Sequence, residues 1–408
     1  MKNLVFALLL LFILTIPIED MLSVNKDLSM TRMLGQVVIG AWGIVIILNQ
    51  KVRRIHPFYI FVLLFIAWNV ISVFWTIDYS LTELRTKTYV QLGIMSLMIW
   101  DLVDGKDKLR AVIQTYIIGA YISVIGTIAN FISGQEAYLY SGGRYVATGF
   151  NANDLAIILA LGIPMAWYMV LTSGGQSKFK WFRIINMLYI PLGYFAVILT
   201  GSRAGFLVAL LSLVYIVFTT RWLGKWGRVS FGFLLVILII AAVIIVPEST
   251  LNRVLSTFSM GSSDDLGGRL TIYAAAARTI DAHPLLGVGS GAFKSATGLN
   301  IIAHNSFLSV LSETGIVGFL FFAIMLIICA VEALRQPKLE AFLWLTVLLM
   351  WGLGGSSVSW DFRKPTWLLL TMIIISGELF AEKKQNEQRH IAQPSTLRLA
   401  ASEPDEPG

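Results

Sequence analysis

The sequence predicts an all-α polytopic membrane protein, and its composition and apolar periodicity carry that prediction. Hydrophobic residues make up 56% of the 408 residues and charged residues only 13%, whereas a soluble domain carries about 25% charge. The apolar residues fall into runs of bilayer-spanning length. The basic residues are scattered between these runs, so the net charge of +7 does not indicate nucleic-acid binding.

The apolar runs predict about 12 transmembrane helices, because a helix needs about 20 mostly apolar residues to cross a bilayer. The first run, at the N-terminus, has no small-x-small cleavage motif before Glu19, and we interpret it as a retained span. The predicted spans are Leu4–Ile18, Leu34–Leu48, Phe58–Trp75, Tyr89–Trp100, Ala111–Ile132, Ala152–Leu171, Ile184–Leu199, Ala204–Thr219, Val229–Val246, Ile316–Val331, Ala341–Leu353 and Thr366–Phe380.

Lysine and arginine in the short loops predict the orientation of the spans. If the N-terminus is cytoplasmic, the inner loops hold more of these residues than the outer loops, so both termini are expected to face the cytoplasm. One long outer loop, residues 247–303, then lies between spans 9 and 10. Within it Arg269–Ile280 is predicted to be helical, and His283-Pro284 ends that helix. Residues 1–384 form the predicted transmembrane domain, and residues 385–408 a disordered cytoplasmic tail.

Polar residues that could carry chemistry gather on the predicted outer side, since no charged residue lies near the middle of a predicted span. In "LTGSRAGFLVALL", Arg203 sits in a tight turn at the membrane interface. One interpretation is an arginine that snorkels to lipid headgroups. The other is an anion site, because a guanidinium grips phosphate oxygens bidentately. An outer arginine departs from the positive-inside trend, which favours the anion site.

Two further outer residues suit the same chemistry. Arg269 is near the start of the predicted loop helix, where free N–H groups favour anions, although a solvated loop arginine is the alternative. His304 opens "HNSFLSVLSETGIVGF", in which Thr314-Gly315 interrupts a helical run. Histidine titrates near neutrality and can take a proton from a hydroxyl. Alternatively His304 is a hydrogen-bond partner, and Asn305 a helix cap.

The sequence predicts no metal site and no cofactor. The single cysteine, Cys329, lies in an apolar run, and the outer loops lack a His, Cys and carboxylate cluster with zinc-like spacing. A carboxylate pair suited to glycoside hydrolysis is not evident either. Asp264-Asp265 are adjacent in a loop and are interpreted as solvated.

Four blocks in order resemble the bacterial O-antigen ligase/polymerase family. They are "ATGFNANDLAIILALGIPMAW", "TGSRAG", "GRLTIYAAAARTIDAHPLLGVGSGAF" and "HNSFLSVLSETGIVGF", and the resemblance is strongest over residues 147–321. It implies a GT-C-like membrane glycosyltransferase that works at the outer face of the bacterial cytoplasmic (inner) membrane. Such an enzyme, without metal or nucleotide, moves a glycan from a polyprenyl-diphosphate carrier to an acceptor sugar hydroxyl.

The resemblance also implies roles for individual residues. Arg203 and Arg269 would hold the donor diphosphate, and His304 would activate the acceptor hydroxyl. Further substrate-binding candidates are Arg144, Asn151, Asp154 and Asn305. Tyr273 stands where the family often has tryptophan, a departure that is expected to affect packing more than chemistry.

Ligase and polymerase share the donor and the acceptor hydroxyl, so these motifs leave the two open. The expected partners are the polyprenyl-diphosphate-linked glycan, a glycan or lipid-linked sugar acceptor and membrane lipids, with no nucleic acid. A flippase or exporter of lipid-linked glycans is the alternative function, but it should line a central path with polar residues that the predicted spans lack. A scaffold role leaves the ordered outer motifs unexplained.

Overall fold

The computed structural model describes residues 1–25, 28–49, 52–137, 143–173, 180–256 and 268–392. Apart from a short antiparallel hairpin of β1 (Ser23–Asn25) and β2 (Leu28–Ser29), the regular structure in these ranges is helical. The α-helices are α1 (Lys2–Thr15), α2 (Met30–Asn49), α3 (Phe58–Ile71), α4 (Tyr79–Leu102), α5 (Lys106–Ile132), α6 (Ala152–Thr172), α7 (Lys180–Leu199), α8 (Arg203–Thr219), α9 (Lys225–Ile245), α10 (Glu248–Leu255), α11 (Arg269–Ala282), α12 (Phe293–Thr297), α13 (Ser306–Leu334), α14 (Lys338–Gly355) and α15 (Lys364–Ala392).

The all-helical polytopic fold is confirmed. Each predicted span falls on a helix, and within the described ranges nine helical segments are long and apolar enough to cross a membrane. They are Lys2–Leu22, Met30–Leu48, Lys106–Ile132, Ala152–Thr172, Trp181–Leu199, Arg203–Trp222, Ser306–Leu334, Lys338–Gly355 and Lys364–Gln385. The helix of the third predicted span is shorter, Phe58–Phe74 with its closing 3₁₀ turn. The total of twelve spans stays a prediction.

Helix α6 lies at the centre of the bundle, as shown by the burial of 89% of its most apolar 18-residue stretch inside the protein. It packs against α5, α7, α8 and α14. Small residues allow this close packing: a side chain on Gly205 of α8 would place its Cβ 2.2 Å from the Cβ of Ala156 on α6. The N-termini of α6 and α8 are therefore held side by side.

The segment between α9 and α13 is partly helical, as predicted. Helix α11 starts at Arg269 and has His283 as its C-terminal cap, so the predicted helix and its stop are confirmed. Asp264 and Asp265 lie outside the described residues. That this segment faces outward stays a prediction.

The glycine-rich run after Pro284 docks on a break in α13. Gly315 has φ +63°, so the interruption predicted at this glycine is a kink inside α13. The kink frees two carbonyl groups of the preceding turn. Ser312 O accepts a hydrogen bond from Val288 N (3.1 Å), and Glu313 O accepts one from Gly289 N (2.9 Å). These bonds fix the glycine-rich run to α13 near its kink.

The C-terminal tail differs from the prediction at its beginning. Helix α15 continues beyond residue 384 to Ala392, so residues 385–392 are helical rather than disordered. The polar sequence after Ala381 is rich in good helix formers, and Lys383 and Glu387 pair one turn apart at 3.4 Å. The rest of the predicted tail, residues 393–408, lies outside the described residues.

Candidate active site

A cavity of about 560 Å³ opens where the N-termini of α8, α11 and α13 converge. Its volume is within the usual range for ligand sites. Four arginines and one histidine line it, and no Asp or Glu is among its described lining residues. The lining arginines and histidine are Arg144, Arg203, Arg253, Arg269 and His304.

Arg203 is placed by the tight turn that starts α8. Gly201 adopts φ +58°, which favours glycine, and the Ser202 hydroxyl accepts a hydrogen bond from Gly205 N at 3.1 Å as the N-cap. Arg203 is thus the first residue of α8 and lies on the cavity wall.

The carbonyl groups of the same turn hold two more arginines. Arg144 Nε donates to Thr200 O at 2.9 Å, and Arg144 Nη2 donates to Asn153 Oδ1 at 3.2 Å. Arg253 Nε on α10 donates to Gly201 O at 3.1 Å. These contacts orient both guanidinium groups.

Arg269 is the first residue of α11 and reaches the end of α14. Its Nη2 donates to Ser357 O at 3.2 Å, and Tyr273 Oη, one turn further along α11, donates to Ser356 O at 3.2 Å. Tyr273 therefore anchors α11, in agreement with the packing role expected at this position. Arg278, on the opposite face of α11, is exposed and does not line the cavity.

His304 lies on the cavity wall immediately before α13, with φ +48°. A left-handed conformation is uncommon outside glycine, and such strained residues cluster at functional sites. Burial is the main cause that lowers the pKa of His304 below its ordinary value of 6.5; the charge of Arg269 lowers it further, and Asp154 opposes them. The imidazole is consequently neutral near pH 7 and able to accept a proton.

Three predicted substrate-binding residues do not line the cavity, because each serves the local structure. Asn305 caps α13, its Oδ1 accepting from Phe307 N and Leu308 N. Asn151 caps α6 by accepting from Asn153 N. The Asp154 carboxylate accepts from Trp360 Nε1 at 2.6 Å and lies 3.8 Å from Arg363.

The cavity also includes residues that the sequence did not single out as site residues. Arg253 is the main one, together with Asn153, Ser356 and Ser357. A signal for Arg253 exists in the sequence: it is an arginine of the predicted outer loop and departs from the positive-inside trend as Arg203 does. The two serines are far from the other residues in the chain, so no local pattern points to them.

Residues 188–323 match a family model described as O-antigen ligase. The chain therefore contains a region similar to an O-antigen ligase domain. The match supports an O-antigen ligase/polymerase family assignment and, with the apolar helices, a multi-pass membrane protein with a glycan-transferring function. The family acts on lipid-linked glycan substrates. No curated protein matches the chain.

The matched region runs from α7 into α13 and contains four of the five arginine and histidine residues of the cavity. They are Arg203, Arg253, Arg269 and His304. Arg144 and the block that begins at Ala147 precede the matched residues, although the latter is part of the resemblance noted in the sequence.

Proposed function

We propose that this protein transfers a glycan from a polyprenyl-diphosphate carrier to an acceptor sugar hydroxyl at the outer face of the cytoplasmic membrane, without a metal ion. One observation carries the proposal: the cavity of the O-antigen ligase domain is lined by four arginines and by His304, with no carboxylate among its described lining residues. An anionic ligand and a proton-accepting group are both suited to such a cavity.

The arginines stabilise the leaving group. As the glycosidic bond to the diphosphate oxygen breaks, negative charge accumulates on the diphosphate. Guanidinium groups held in place beforehand stabilise that charge more strongly than water does, because they need no reorganisation during the reaction. The backbone contacts of Arg144, Arg253 and Arg269 hold these side chains in this way.

His304 acts as the general base. The acceptor hydroxyl oxygen attacks the anomeric carbon, its proton passes to the His304 imidazole, and the diphosphate leaves on the opposite side with the bonding electrons. Direct attack inverts the anomeric configuration. The lowered pKa of His304 keeps the imidazole ready to accept this proton near neutral pH.

The direct test is glycan transfer by the purified full-length protein in liposomes. The substrates are a polyprenyl-diphosphate oligosaccharide and candidate acceptors, and products are identified by mass spectrometry. Arg269→Ala is compared with Arg278→Ala, because both arginines belong to α11 but only Arg269 lines the cavity. We expect Arg269→Ala to lose about 10²–10³-fold in rate and the control to retain wild-type activity.

The products also show which acceptor the enzyme uses. A lengthened carrier-bound glycan indicates a polymerase, and a glycan joined to a lipid A core indicates a ligase. Equal activity of Arg269→Ala and Arg278→Ala would exclude the proposed diphosphate site. Movement of the donor across the liposome without any bond formation would replace the transferase with a flippase.

A further inference from the structure

We call the cavity lined by Arg144, Arg203, Arg253 and Arg269 the arginine cavity. A second cavity of about 410 Å³ lies between α2 and α4 and shares no lining residue with it. Its walls are one face of α2 and one face of α4, and we call it the α2–α4 groove. The residues that define it are Arg32, Gln36 and Ile39 on α2 and Leu84, Gln91 and Met95 on α4. Its α4 wall extends from Leu81 to Met98, about 25 Å along the helix axis, which is most of a bilayer core.

The two ends of the groove differ in polarity. Where α2 and α4 begin, charged side chains line it: Glu19, Asp20, Arg32, Arg85, Lys294, Glu313, Arg363 and Lys364, of which Arg85 and Glu313 pair with each other. Deeper along the same helices the lining becomes apolar, with Phe12, Ile39 and Met98. The groove therefore has the polarity profile of an amphiphile, charged at its head and apolar along its length.

Two glutamines lie on the walls between these ends. Gln36 and Gln91 are both exposed and both line the groove. An amide that faces hydrocarbon is costly unless it is hydrogen-bonded. A ligand with polar linkages near its headgroup would supply such bonds, whereas a simple alkyl chain would not.

Only a thin wall separates the head of the groove from the arginine cavity. Ile302 lines the groove and His304 lines the cavity, and two residues span at most about 7 Å of extended chain. A second connection runs through Arg363, a groove residue, which lies 3.8 Å from Asp154, next to the cavity residue Asn153. A molecule with its head in this groove would carry its sugar close to the imidazole.

We infer that the α2–α4 groove binds the second substrate, a lipid-anchored glycan with a phosphate-bearing head, and thereby supplies the acceptor hydroxyl. The inference rests on the transferase function proposed above. Arg32 and Lys294 suit the phosphate, and the carboxylate of Asp20 accepts hydrogen bonds from sugar hydroxyls. Lys364 is ion-paired with Glu19 in the wall of the groove. The apolar chain lies between α2 and α4.

The test fills the groove with a large side chain. Gln91→Trp is compared with Val90→Trp, because both positions are exposed on the same turn of α4 and only residue 91 lines the groove. The probes are a phosphorylated lipid A glycolipid and a polyprenyl-diphosphate disaccharide, used in separate arms. Retention of each lipid by the full-length protein is measured by native mass spectrometry, and KM is measured for acceptor and donor.

For at least one probe, Gln91→Trp should retain about tenfold less lipid and raise the acceptor KM about tenfold relative to Val90→Trp, a factor that corresponds to about 1.4 kcal/mol. The donor KM of the two variants should agree. The arm that responds identifies the source of the acceptor. Equal retention and equal acceptor KM in the two variants, with transfer intact, would overturn the groove assignment alone. Absence of transfer in the wild type would overturn the proposed function, while lipid retention still decides whether the groove is occupied.

Discussion

Arginines occur in two contrasting settings near the start of α13. Arg85 on α4 is surrounded by acids, with Nη1 3.3 Å from Glu313 Oε2 and 3.6 Å from Asp361 Oδ2. The Tyr89 hydroxyl also donates to Asp361 Oδ2, at 2.6 Å. In the arginine cavity four arginines line one space with no carboxylate among the described lining residues.

Under the proposed function, the difference separates a structural charge from a functional one. The charge of Arg85 is balanced within the fold, and Glu313 Oε2 also accepts from Gly291 N at 2.7 Å, which ties the glycine-rich run to α13. In the cavity, Arg253 and Arg269 donate to the carbonyl oxygens of Gly201 and Ser357, which orient a guanidinium. A paired buried arginine supports folding, whereas a group of arginines in an open cavity supports the binding of an anion.

The largest expected effect concerns the base that accompanies the cavity arginines. His304→Ala should reduce glycan transfer about 10²–10⁴-fold, because the acceptor hydroxyl loses its proton acceptor. His283→Ala is the matched control, since His283 caps α11 and does not line the cavity. The rates are measured on proteins purified at equal yield. If both variants transfer glycan at the wild-type rate, the imidazole of His304 is not the base.

Removing an arginine from each setting should affect different properties. Arg85→Ala should lower the free energy of unfolding by about 3–5 kcal/mol, since it leaves Glu313 and Asp361 buried without their cation. Arg269→Ala removes a hydrogen bond to the Ser357 carbonyl, so it should change the free energy of unfolding by less than about 1.5 kcal/mol and reduce transfer instead. The free energy of unfolding of both variants is measured by denaturant titration in detergent. Equal destabilisation of the two variants would show that the distinction between the settings is wrong.

A carboxylate placed in the cavity should make it resemble the surroundings of Arg85. Ala204 lines the cavity at the second position of α8, where an acidic residue is compatible with a helix N-terminus. Ala204→Glu should slow transfer about 100-fold more than Ala204→Gln. A charge about 6 Å from the diphosphate costs about 2–3 kcal/mol at an effective dielectric constant of about 20. Equal rates for these two nearly isosteric variants would indicate that the anion binds elsewhere.

Local patterns predicted much of this structure. Apolar runs gave correct helices because a bilayer-spanning helix satisfies its own backbone hydrogen bonds and depends little on its neighbours. The start of α11 at Arg269 and the kink at Gly315 were also predicted locally, because each has a glycine at the break. Arg203, Arg269 and His304 were recognised from their short motifs, and the structure places all three around one cavity.

Contacts between distant segments were not predictable from these patterns. Arg253 reaches Gly201 O across 52 positions of the chain, and Arg269 reaches Ser357 O across 88. Neither contact leaves a local signature, because it depends on how α10 and α11 pack on the bundle. The same limit applies to Asn151 and Asn305: an asparagine before a helix can cap the helix or bind a substrate, and a local pattern does not distinguish the two.

The smallest expected effect is a shift in the pH dependence of transfer. In the proposed mechanism a neutral His304 is the base. The rate should therefore fall on the acidic side as pH drops through its pKa, which lies below 6.5 because of burial and the charge of Arg269. In Arg269→Gln the imidazolium loses a repulsive neighbour, so the pKa of His304 rises and the acidic limb moves to higher pH, even though the maximal rate is lower. Arg278→Gln should leave the limb where it is in the wild type. A limb that stays in place in Arg269→Gln would show that the cavity arginines do not act on His304 electrostatically, and that the group titrating in this pH range is a different one.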